Sequence, residues 1–258
     1  MDGMDGKVAI VTGGTRGIGA AIVRRLLDAG CEVVTCGRQA PDALPEANGR
    51  QAGFVACDVR DPEQARSLVA QVVERHGRLD TLVNNAGGSP QAVAATASPR
   101  FSDAIVALNM MAPLHMAQAA YPHLKAVQGS IVNIASVAGV RPSPGTAVYG
   151  AAKAGLLSLT KSLAQEWGPD IRLNAIIVGL METENTALTY GSEEAQGRIA
   201  ASLPLRRMGR GGDIADAVAF LASPAASYIS GAQLEVHGGG ERPLFLEIVN
   251  AEMAAAGG

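Results

Sequence analysis

The stretch Val8-Ala9-Ile10-Val11-Thr12-Gly13-Gly14-Thr15-Arg16-Gly17-Ile18-Gly19 decides the fold class of this chain. An apolar strand ends at Thr12, and an amphipathic helical pattern over Ala20–Ala29 follows the glycines. Glycines at these places let the chain turn sharply and let a pyrophosphate approach the backbone at the helix N-terminus. The alternative is a tight strand-to-helix turn that binds nothing. Because this is the first strand–turn–helix unit of the chain, a nucleotide-binding loop is the favoured interpretation.

Apolar runs and helical patterns alternate along the rest of the chain. Continuous Val/Ile/Leu strands separated by helices are typical of a parallel sheet covered on both faces, and right-handed crossovers make such a sheet doubly wound. The sequence therefore predicts an α/β fold, a single Rossmann domain over residues 1–258 with a seven-stranded parallel sheet and helices on both faces. The predicted strands are Lys7–Thr12, Glu32–Cys36, Gly53–Cys57, Asp80–Asn84, Ser130–Ala135, Ile171–Val178 and Gln233–Val236, and the helical stretches lie near 17–29, 62–76, 100–127, 147–167 and 212–222.

Composition and charge argue against several classes of protein. Apolar residues make up 48% of the 258 residues, which suits a large core, whereas a net charge of −3 and few aromatic residues do not suit nucleic acid. No run reaches the roughly 18 apolar residues of a membrane span, and the first residues lack the pattern of a signal peptide. We expect a cytoplasmic protein without a metal site. The cysteines are interpreted as small buried hydrophobes: Cys31, Cys36 and Cys57.

The end of the second predicted strand indicates which dinucleotide is bound. A site for NAD usually places an acidic residue there, about 20 residues beyond the glycine loop. This chain has Thr35-Cys36-Gly37-Arg38 instead, without a carboxylate. A guanidinium pairs with a ribose 2′-phosphate that a carboxylate would repel. Arg38 or Arg16 alone could be a solvated surface residue, but the two together favour NADP.

A serine, a tyrosine and a lysine form the candidate catalytic group. Tyr149 and Lys153 are four residues apart in a predicted helix, so both lie on one helix face. A nearby ammonium lowers the pKa of a phenol, which can then exchange a proton with a substrate oxygen. Ser136 ends a predicted strand, at the edge where ligands bind in parallel sheets. Each residue also has a purely structural interpretation: Ser136 could cap a turn, Tyr149 could be a half-buried packing residue and Lys153 could lie on a solvated helix face.

In this order, the motifs resemble the short-chain dehydrogenase/reductase family over nearly the full length of the chain, and in particular its 3-oxoacyl reductase-like branch. Seven features in the family's order are far more specific than any one of them. They are Thr12 to Gly19, Cys57-Asp58-Val59, Asn84-Asn85-Ala86-Gly87, Asn109, Ser136, Tyr149 with Lys153, and Asn174 to Thr183. The family's last helix–strand unit is resembled by Asp213, Ala217–Ser223 and Ser230-Gly231.

The resemblance implies a catalytic role for four residues. Tyr149 would be the acid/base, and Ser136 would position the substrate oxygen. Lys153 would lower the pKa of Tyr149 and hold the nicotinamide ribose, and Asn109 would fix a helix kink and a water in a proton relay.

The resemblance also implies a set of cofactor contacts. Asp58 would contact the adenine, Asn85 would support the cleft and Thr183 would contact the nicotinamide amide. The whole cofactor-binding set is Gly13, Thr15, Arg16, Gly17, Ile18, Gly19, Arg38, Asp58, Val59, Asn85, Ala86, Gly87, Tyr149, Lys153 and Thr183.

Three departures from the family pattern qualify this picture. Val178-Gly179 stands where Pro-Gly is usual, so the segment that follows is less constrained. His237 replaces an aspartate near the end and is interpreted as structural. Pro169-Asp170 stands where members that reduce carrier-linked 3-oxoacyl groups tend to have a basic residue, which weighs slightly against that substrate.

The predicted function is hydride transfer between NADP(H) and a ketone or secondary alcohol, with a hydrophobic or acyl-type substrate. The alternative is a catalytically silent NADP-binding regulator or scaffold, but such a protein would be expected to lack one of the four catalytic residues. Residues Gly179–Leu203, here named the lid segment, carry apolar side chains that suit a bulky ketone or else pack among themselves.

The long helix predicts assembly into a homo-oligomer, most simply a homotetramer with two-fold axes, and the family resemblance implies the same. The helix Tyr149–Trp167 carries apolar residues that need a cover, and closed two-fold assemblies supply one. Those residues are Ala152, Leu156, Leu159 and Leu163. In the C-terminal extension, residues 240–258, we expect Leu244–Val249 to pack on its own lid segment or across a two-fold axis. A polar turn and a helical Glu252–Ala256 are expected to follow, and a frayed tail is the alternative.

Overall fold

The computed structural model describes residues 3–256. All seven predicted strands form, and no strand end differs from its prediction by more than one residue. In chain order the elements are β1 (Val8–Thr12), α1 (Gly17–Asp28), β2 (Glu32–Gly37), β3 (Glu46–Ala47), β4 (Arg50–Gln51), β5 (Gly53–Ala56), α2 (Pro62–His76), β6 (Thr81–Asn84), α3 (Pro99–Val106), α4 (Ala112–Ala126), β7 (Ser130–Ile134), α5 (Ala147–Glu166), β8 (Arg172–Val178), α6 (Thr186–Tyr190), α7 (Glu193–Ser202), α8 (Gly211–Ala222), β9 (Gln233–Val236) and α9 (Leu244–Ala256).

The seven long strands form one parallel sheet in the order β5-β2-β1-β6-β7-β8-β9. β1 pairs with β2 on one side and with β6 on the other, so the strand order reverses between β1 and β6. A crevice opens outside the carboxyl ends of the strands at such a reversal. The predicted fold class is therefore confirmed. Along the chain, the connection from β2 to β5 contains a separate antiparallel pair, β3–β4, which is not predicted by the sequence.

Helices cover both faces of the sheet. α1 and α8 pack on one face, and α2, α4 and α5 pack on the other. Every residue of β1 is consequently buried, as its unbroken apolar run indicates. Burying a side chain such as Ile10, which is 0% exposed, stabilises the fold by about 1.5–3 kcal/mol.

The boundaries of α2 show how local sequence places an element. Asp61 caps the helix, because its carboxylate accepts hydrogen bonds from the backbone N–H groups of Glu63 and Gln64. Pro62 follows in the first helical position, and the helix ends at Gly77, whose φ of 75° is left-handed.

The helix predicted over residues 100–127 is interrupted. α3 ends at Val106, and a π-helical turn over Ala107–Met111 separates it from α4. The side chain of Asn109 explains the break, because its amide donates to the carbonyl oxygens of Ile105 and Gly88, both at 3.0 Å. The bond to Gly88 joins the helix to the loop after β6, which periodicity in the sequence does not reveal.

The apolar residues of α5 do not form the intersubunit surface that the sequence predicts. Ala152, Leu156 and Leu163 are no more than 7% exposed, and Leu159 packs against the core beneath α2 and α4. These side chains face their own sheet, so this argument for a homotetramer is wrong.

The lid segment lies between β8 and α8, and the C-terminal extension follows β9. The lid segment contains the helices α6 and α7. The C-terminal extension forms one helix, α9, without the predicted turn before Glu252, because neither glycine nor proline interrupts it. Leu244 and Phe245 are 69% and 64% exposed, so the predicted packing on the lid segment is wrong for this subunit.

Candidate active site

The glycine loop and the loop after β6 are tied together at the strand-order reversal. The hydroxyl of Thr12 accepts hydrogen bonds from the backbone N–H groups of Asn85 and Ala86, both at 3.0 Å. The amide of Asn85 donates in return to the carbonyl oxygens of Thr12 and Gly13, at 2.9 and 3.1 Å. Asn85 thus ties the loop after β6 to the glycine loop. The part of Thr12 is missed by sequence reasoning, although a hydroxyl residue between a buried strand and glycines is a signal for it.

At Gly14 and Gly19 the glycine loop has no room for a side chain. A Cβ atom at Gly14 would lie 2.5 Å from the Thr35 hydroxyl, and one at Gly19 would lie 2.3 Å from the carbonyl oxygen of Gly13. Gly13 and Gly17 have φ values of 63° and 53°, which favour glycine. Thr15 and Ile18 are half-buried. The loop therefore presents bare backbone at the N-terminus of α1, which fits a pyrophosphate.

Two arginines border the outer end of this crevice. Arg38 follows β2 and Arg16 precedes α1, and both are exposed. Neither forms an ion pair within residues 3–256. Their guanidinium groups therefore remain available to an anionic ligand.

Asp58 and Val59 follow β5 at the same end of the crevice. Asp58 is held by the guanidinium of Arg60, which keeps the pKa of this carboxyl below its usual range. Val59 is buried beside Cys36 and Cys57 in the core under α2 and α4. Asp58 is thus an anion held in place by Arg60, and Val59 is a buried residue that lines the crevice.

Ser136, Tyr149 and Lys153 meet at the carboxyl end of β7. The Ser136 hydroxyl accepts from the backbone N–H of Ala138 at 3.2 Å and interacts with the phenol of Tyr149. Lys153 Nζ lies 5.7 Å from the centroid of the Tyr149 ring. A hydroxyl, a phenol and an ammonium are therefore concentrated at one edge of the sheet.

Lys153 is a buried cation. Its side chain is 3% exposed, and Nζ donates to the carbonyl oxygen of Ile134 at 2.8 Å. Burial lowers the pKa of Lys153 to about 8. Since an ammonium has three donors, two remain for a ligand such as the hydroxyls of a ribose.

Gly87 completes the floor of this cluster. A Cβ atom there would lie 2.8 Å from Asn109 Oδ1 and 3.2 Å from Lys153 Nζ. Asn109 Oδ1 also accepts from the backbone N–H of Gly88 at 2.8 Å. The loop after β6 therefore lies directly against Asn109 and Lys153, and a side chain at position 87 would push these two polar groups out of place.

The electrostatics of Tyr149 differ from the sequence prediction. Burial raises the pKa of Tyr149, and the hydrogen bond with Ser136 partly opposes that rise. Lys153 is not among the groups that lower this pKa; its Nζ lies 5.7 Å from the centroid of the Tyr149 ring and donates to the carbonyl oxygen of Ile134. The phenol is consequently protonated at neutral pH and is suited to donate a proton.

We predict that Lys153 makes stability depend on pH. Its pKa falls from 10.5 in the unfolded chain to about 8 in the fold, so the unfolded state binds more protons between these values. Stability should therefore rise with pH across that window, by at most about 3 kcal/mol. Lys153→Met should lack this rise.

Urea unfolding at pH 7 and pH 9.5 measures the effect, with Lys161→Met as a control on the exposed side of the same helix. Identical pH dependence of the free energy of unfolding in the wild type and in Lys153→Met would rule out the buried cation.

Thr183 lies apart from the catalytic cluster. It is exposed, its hydroxyl accepts from the backbone N–H of Asn185 at 3.3 Å, and its own N–H donates to Thr186. The structure thus places Thr183 in a local turn of the lid segment and shows no contact with Tyr149 or Lys153.

Three residues at the mouth of the site are missed by sequence reasoning. Tyr190 of α6 is close enough for its charge to contribute to the raised pKa of Tyr149. Arg141 of the loop after Ser136 pairs with Glu241, which precedes α9, at 2.6 Å. This pair links the catalytic loop to the C-terminal extension. Arg141 and Glu241 are 100 residues apart in the sequence, so no local pattern indicates that they pair.

His237 lies at the root of the lid segment. Its ring pairs with Glu235 at 2.8 Å, and a Cβ atom on Gly179 would lie 2.6 Å from the His237 Cα atom. This close approach requires glycine at position 179. It does not require a proline at position 178, where the family usually has one and this chain has Val178.

Comparison with known proteins agrees with this architecture. The family model described as Enoyl-(Acyl carrier protein) reductase matches residues 13–241. The chain is 36% identical over 242 residues to the short-chain dehydrogenase/reductase SDRA of Arabidopsis thaliana, covering 92% of this chain and 95% of that one. It therefore belongs to the short-chain dehydrogenase/reductase family of oxidoreductases.

Two further relatives are informative. The chain is 37% identical over 249 residues to a Streptomyces violaceoruber protein named as ketoacyl reductase 2 of the granaticin polyketide synthase, covering 92% and 97% of the two chains. It also resembles the structure of a blue fluorescent protein from a metagenomic library in complex with NADPH, with a TM-score of 0.81, 35% identity and coverage of 92% and 98%.

Across the described part of the chain, no helix is both long and apolar enough to cross a membrane.

Proposed function

We propose that this protein interconverts a ketone and a secondary alcohol with NADP(H), in one domain over residues 1–258. The observation that carries the proposal is the meeting of Ser136, Tyr149 and Lys153 beside the loop after β6. A hydroxyl and a phenol that lie side by side can both hydrogen-bond to one substrate oxygen, as proton transfer to a carbonyl requires.

The chain's own groups divide the work as follows. A bound nicotinamide cofactor supplies or accepts the hydride. Tyr149 donates the proton to the carbonyl oxygen during reduction, and the Ser136 hydroxyl holds that oxygen against the phenol. Lys153 uses its remaining donors to bind the cofactor ribose and supplies positive charge below the ring. Asn109 holds the loop at Gly87 and Gly88 in place.

Preference for NADP(H) rests on Arg16 and Arg38. Both guanidinium groups are exposed at the outer end of the crevice, and β2 ends in Gly37 without a carboxylate. A 2′-phosphate carries the charge that such arginines bind. The relative solved with NADPH supports the same choice.

An apolar or acyl-type substrate is favoured by the surface next to Tyr149. The small hollow there is lined chiefly by apolar residues of the loop before α3, of α3 itself and of the start of α5, among them Ala92, Ala94, Ala97, Phe101 and Val148. Leu188 of the lid segment is 88% exposed and is available to cover a bound molecule. The relative named as a ketoacyl reductase supports an acyl substrate.

A substrate panel tests the proposal. Hydrophobic ketones, 3-oxoacyl thioesters and 2-enoyl thioesters are each offered with NADPH and with NADH, and the corresponding alcohols with NADP and NAD. We expect turnover of ketones with NADPH. Turnover of enoyl thioesters alone would replace carbonyl reduction by reduction of a carbon–carbon double bond, and cofactor binding without any turnover would favour the silent regulator.

We further propose a homotetramer in the cytoplasm, and α9 supplies the surface for assembly. Leu244, Phe245, Ile248 and Val249 are 45–69% exposed, and such an apolar patch is stabilised by contact with another subunit.

Light scattering should give the mass of four chains of 26.3 kDa. Deleting residues 243–258 should reduce that mass or lower the melting temperature by several degrees, roughly 4 °C per kcal/mol lost. A 26.3 kDa particle for the full chain would contradict the proposal.

A further inference from the structure

A carboxylate of the lid segment occupies the start of α1. The backbone N–H of Gly17 donates to Glu184 Oε1 at 3.0 Å, across 167 residues of sequence. Hydrogen bonds from the Glu184 N–H and from Gly17 N–H, together with nearby Arg16 and Arg24, hold the pKa of Glu184 below its usual range. Glu184 is therefore an anion at neutral pH, bound where the glycine loop fits a pyrophosphate.

The fold brings Glu184 to this place through the root of the lid segment. Met181 bridges to Gly209, and the N–H of Glu182 donates to the carbonyl oxygen of Gly209 at 2.8 Å. Two residues further on, a Cβ atom at Gly211 would lie 2.7 Å from Ala21 of α1. The chain before Glu184 is thus anchored beside the N-terminal turn of α1, within reach of Gly17.

We propose that Glu184 is an internal competitor for the pyrophosphate of the cofactor. A carboxylate and a pyrophosphate would compete for the same backbone donors at the start of α1, and two anions side by side would repel each other. Binding of NADP(H) would therefore displace the Glu184 carboxylate from Gly17. This inference rests on the proposed function, because it assumes that the loop binds a dinucleotide.

The coupling runs in both directions. Whatever strengthens the contact between Glu184 and Gly17 weakens cofactor binding by up to the same factor, and bound cofactor weakens the contact in turn. The contact between Glu184 and Gly17 is exposed to solvent. Its effect on the free energy of cofactor binding should therefore lie between that of a surface ion pair and that of a charged hydrogen bond. Removing the charge should tighten cofactor binding roughly three- to tenfold.

Isothermal titration of NADPH and of NADH into the full chain tests the proposal. Glu184→Gln should lower Kd for both cofactors by a similar factor, because both contain the pyrophosphate. Glu184→Asp keeps the charge on a shorter side chain and should fall between Glu184→Gln and the wild type. Glu193→Gln removes a carboxylate from the first turn of α7 and should leave both Kd values unchanged.

The outcomes separate this inference from the proposed function. Wild-type binding with an unchanged or weaker Kd in Glu184→Gln would overturn the competitor and leave the proposed function standing. Absence of wild-type binding to either cofactor would overturn the proposed function and the inference with it. A tighter Kd that Glu193→Gln reproduces would reflect only the net charge of the lid segment and would also overturn the inference.

Discussion

Replacing Tyr149 by phenylalanine should reduce kcat by about 10²–10⁴-fold, the usual cost of losing a general acid. The substitution keeps the ring that packs over Lys153 and removes only the hydroxyl that interacts with Ser136. Cofactor affinity should consequently stay within about twofold of the wild type, well inside the range of a conservative change. Kinetics and titration calorimetry on the same preparation measure both quantities.

Tyr121→Phe is the matched control. Its hydroxyl bonds to Asp170 at 3.1 Å, on α4 and away from Ser136, so its removal should leave kcat nearly unchanged. Activity of Tyr149→Phe within about tenfold of the wild type would refute the assignment of Tyr149 as the acid.

The second large effect concerns the choice of cofactor. Arg38→Asp should lower kcat/KM for NADPH by about 10- to 150-fold, the scale of one charged hydrogen bond of roughly 1.5–3 kcal/mol. The same change should raise kcat/KM for NADH, because a carboxylate at the end of β2 accepts hydrogen bonds from an unmodified ribose. The preference should therefore reverse.

Arg75→Asp is the control for this reversal. Arg75 lies on the last turn of α2, exposed and without an ion partner within residues 3–256, so the variant makes the same charge change far from the crevice. Similar kcat/KM values for NADH and NADPH in the unaltered protein would contradict the account of Arg38.

The fold was largely predictable because its signals are local. The run of β1 is buried along its whole length, and the glycines that follow it are required by close contacts. Asp61, Pro62 and Gly77 mark the ends of α2 as their residue types indicate. The errors arose where distant contacts decide, as in the π-helical turn at Asn109, which depends on Gly88.

In the candidate site, too, the positions of the residues were predictable from the sequence, whereas their electrostatics were not. Ser136, Tyr149 and Lys153 could be placed together because strand topology brings a strand end and a helix start to one edge of the sheet. The raised pKa of Tyr149 could not be predicted, since it depends on how deeply the ring is buried.

The contacts of the lid segment were equally hidden from the sequence. Glu184 meets Gly17 because the start of the lid segment is held at Gly209, just before α8. A glutamate among several acidic residues of a loop carries no mark of such a partner.

Transfer of a deuterium label from cofactor to product shows directly whether this protein moves a hydride onto a carbonyl carbon. Each ketone of the panel is incubated with NADPH deuterated at C4 of the nicotinamide, and the products are analysed by mass spectrometry. The wild type should form an alcohol with one deuterium on the carbinol carbon, and Tyr149→Phe should form almost none. Binding of the labelled cofactor without any deuterated alcohol, across the whole panel of ketones, would contradict the proposed function.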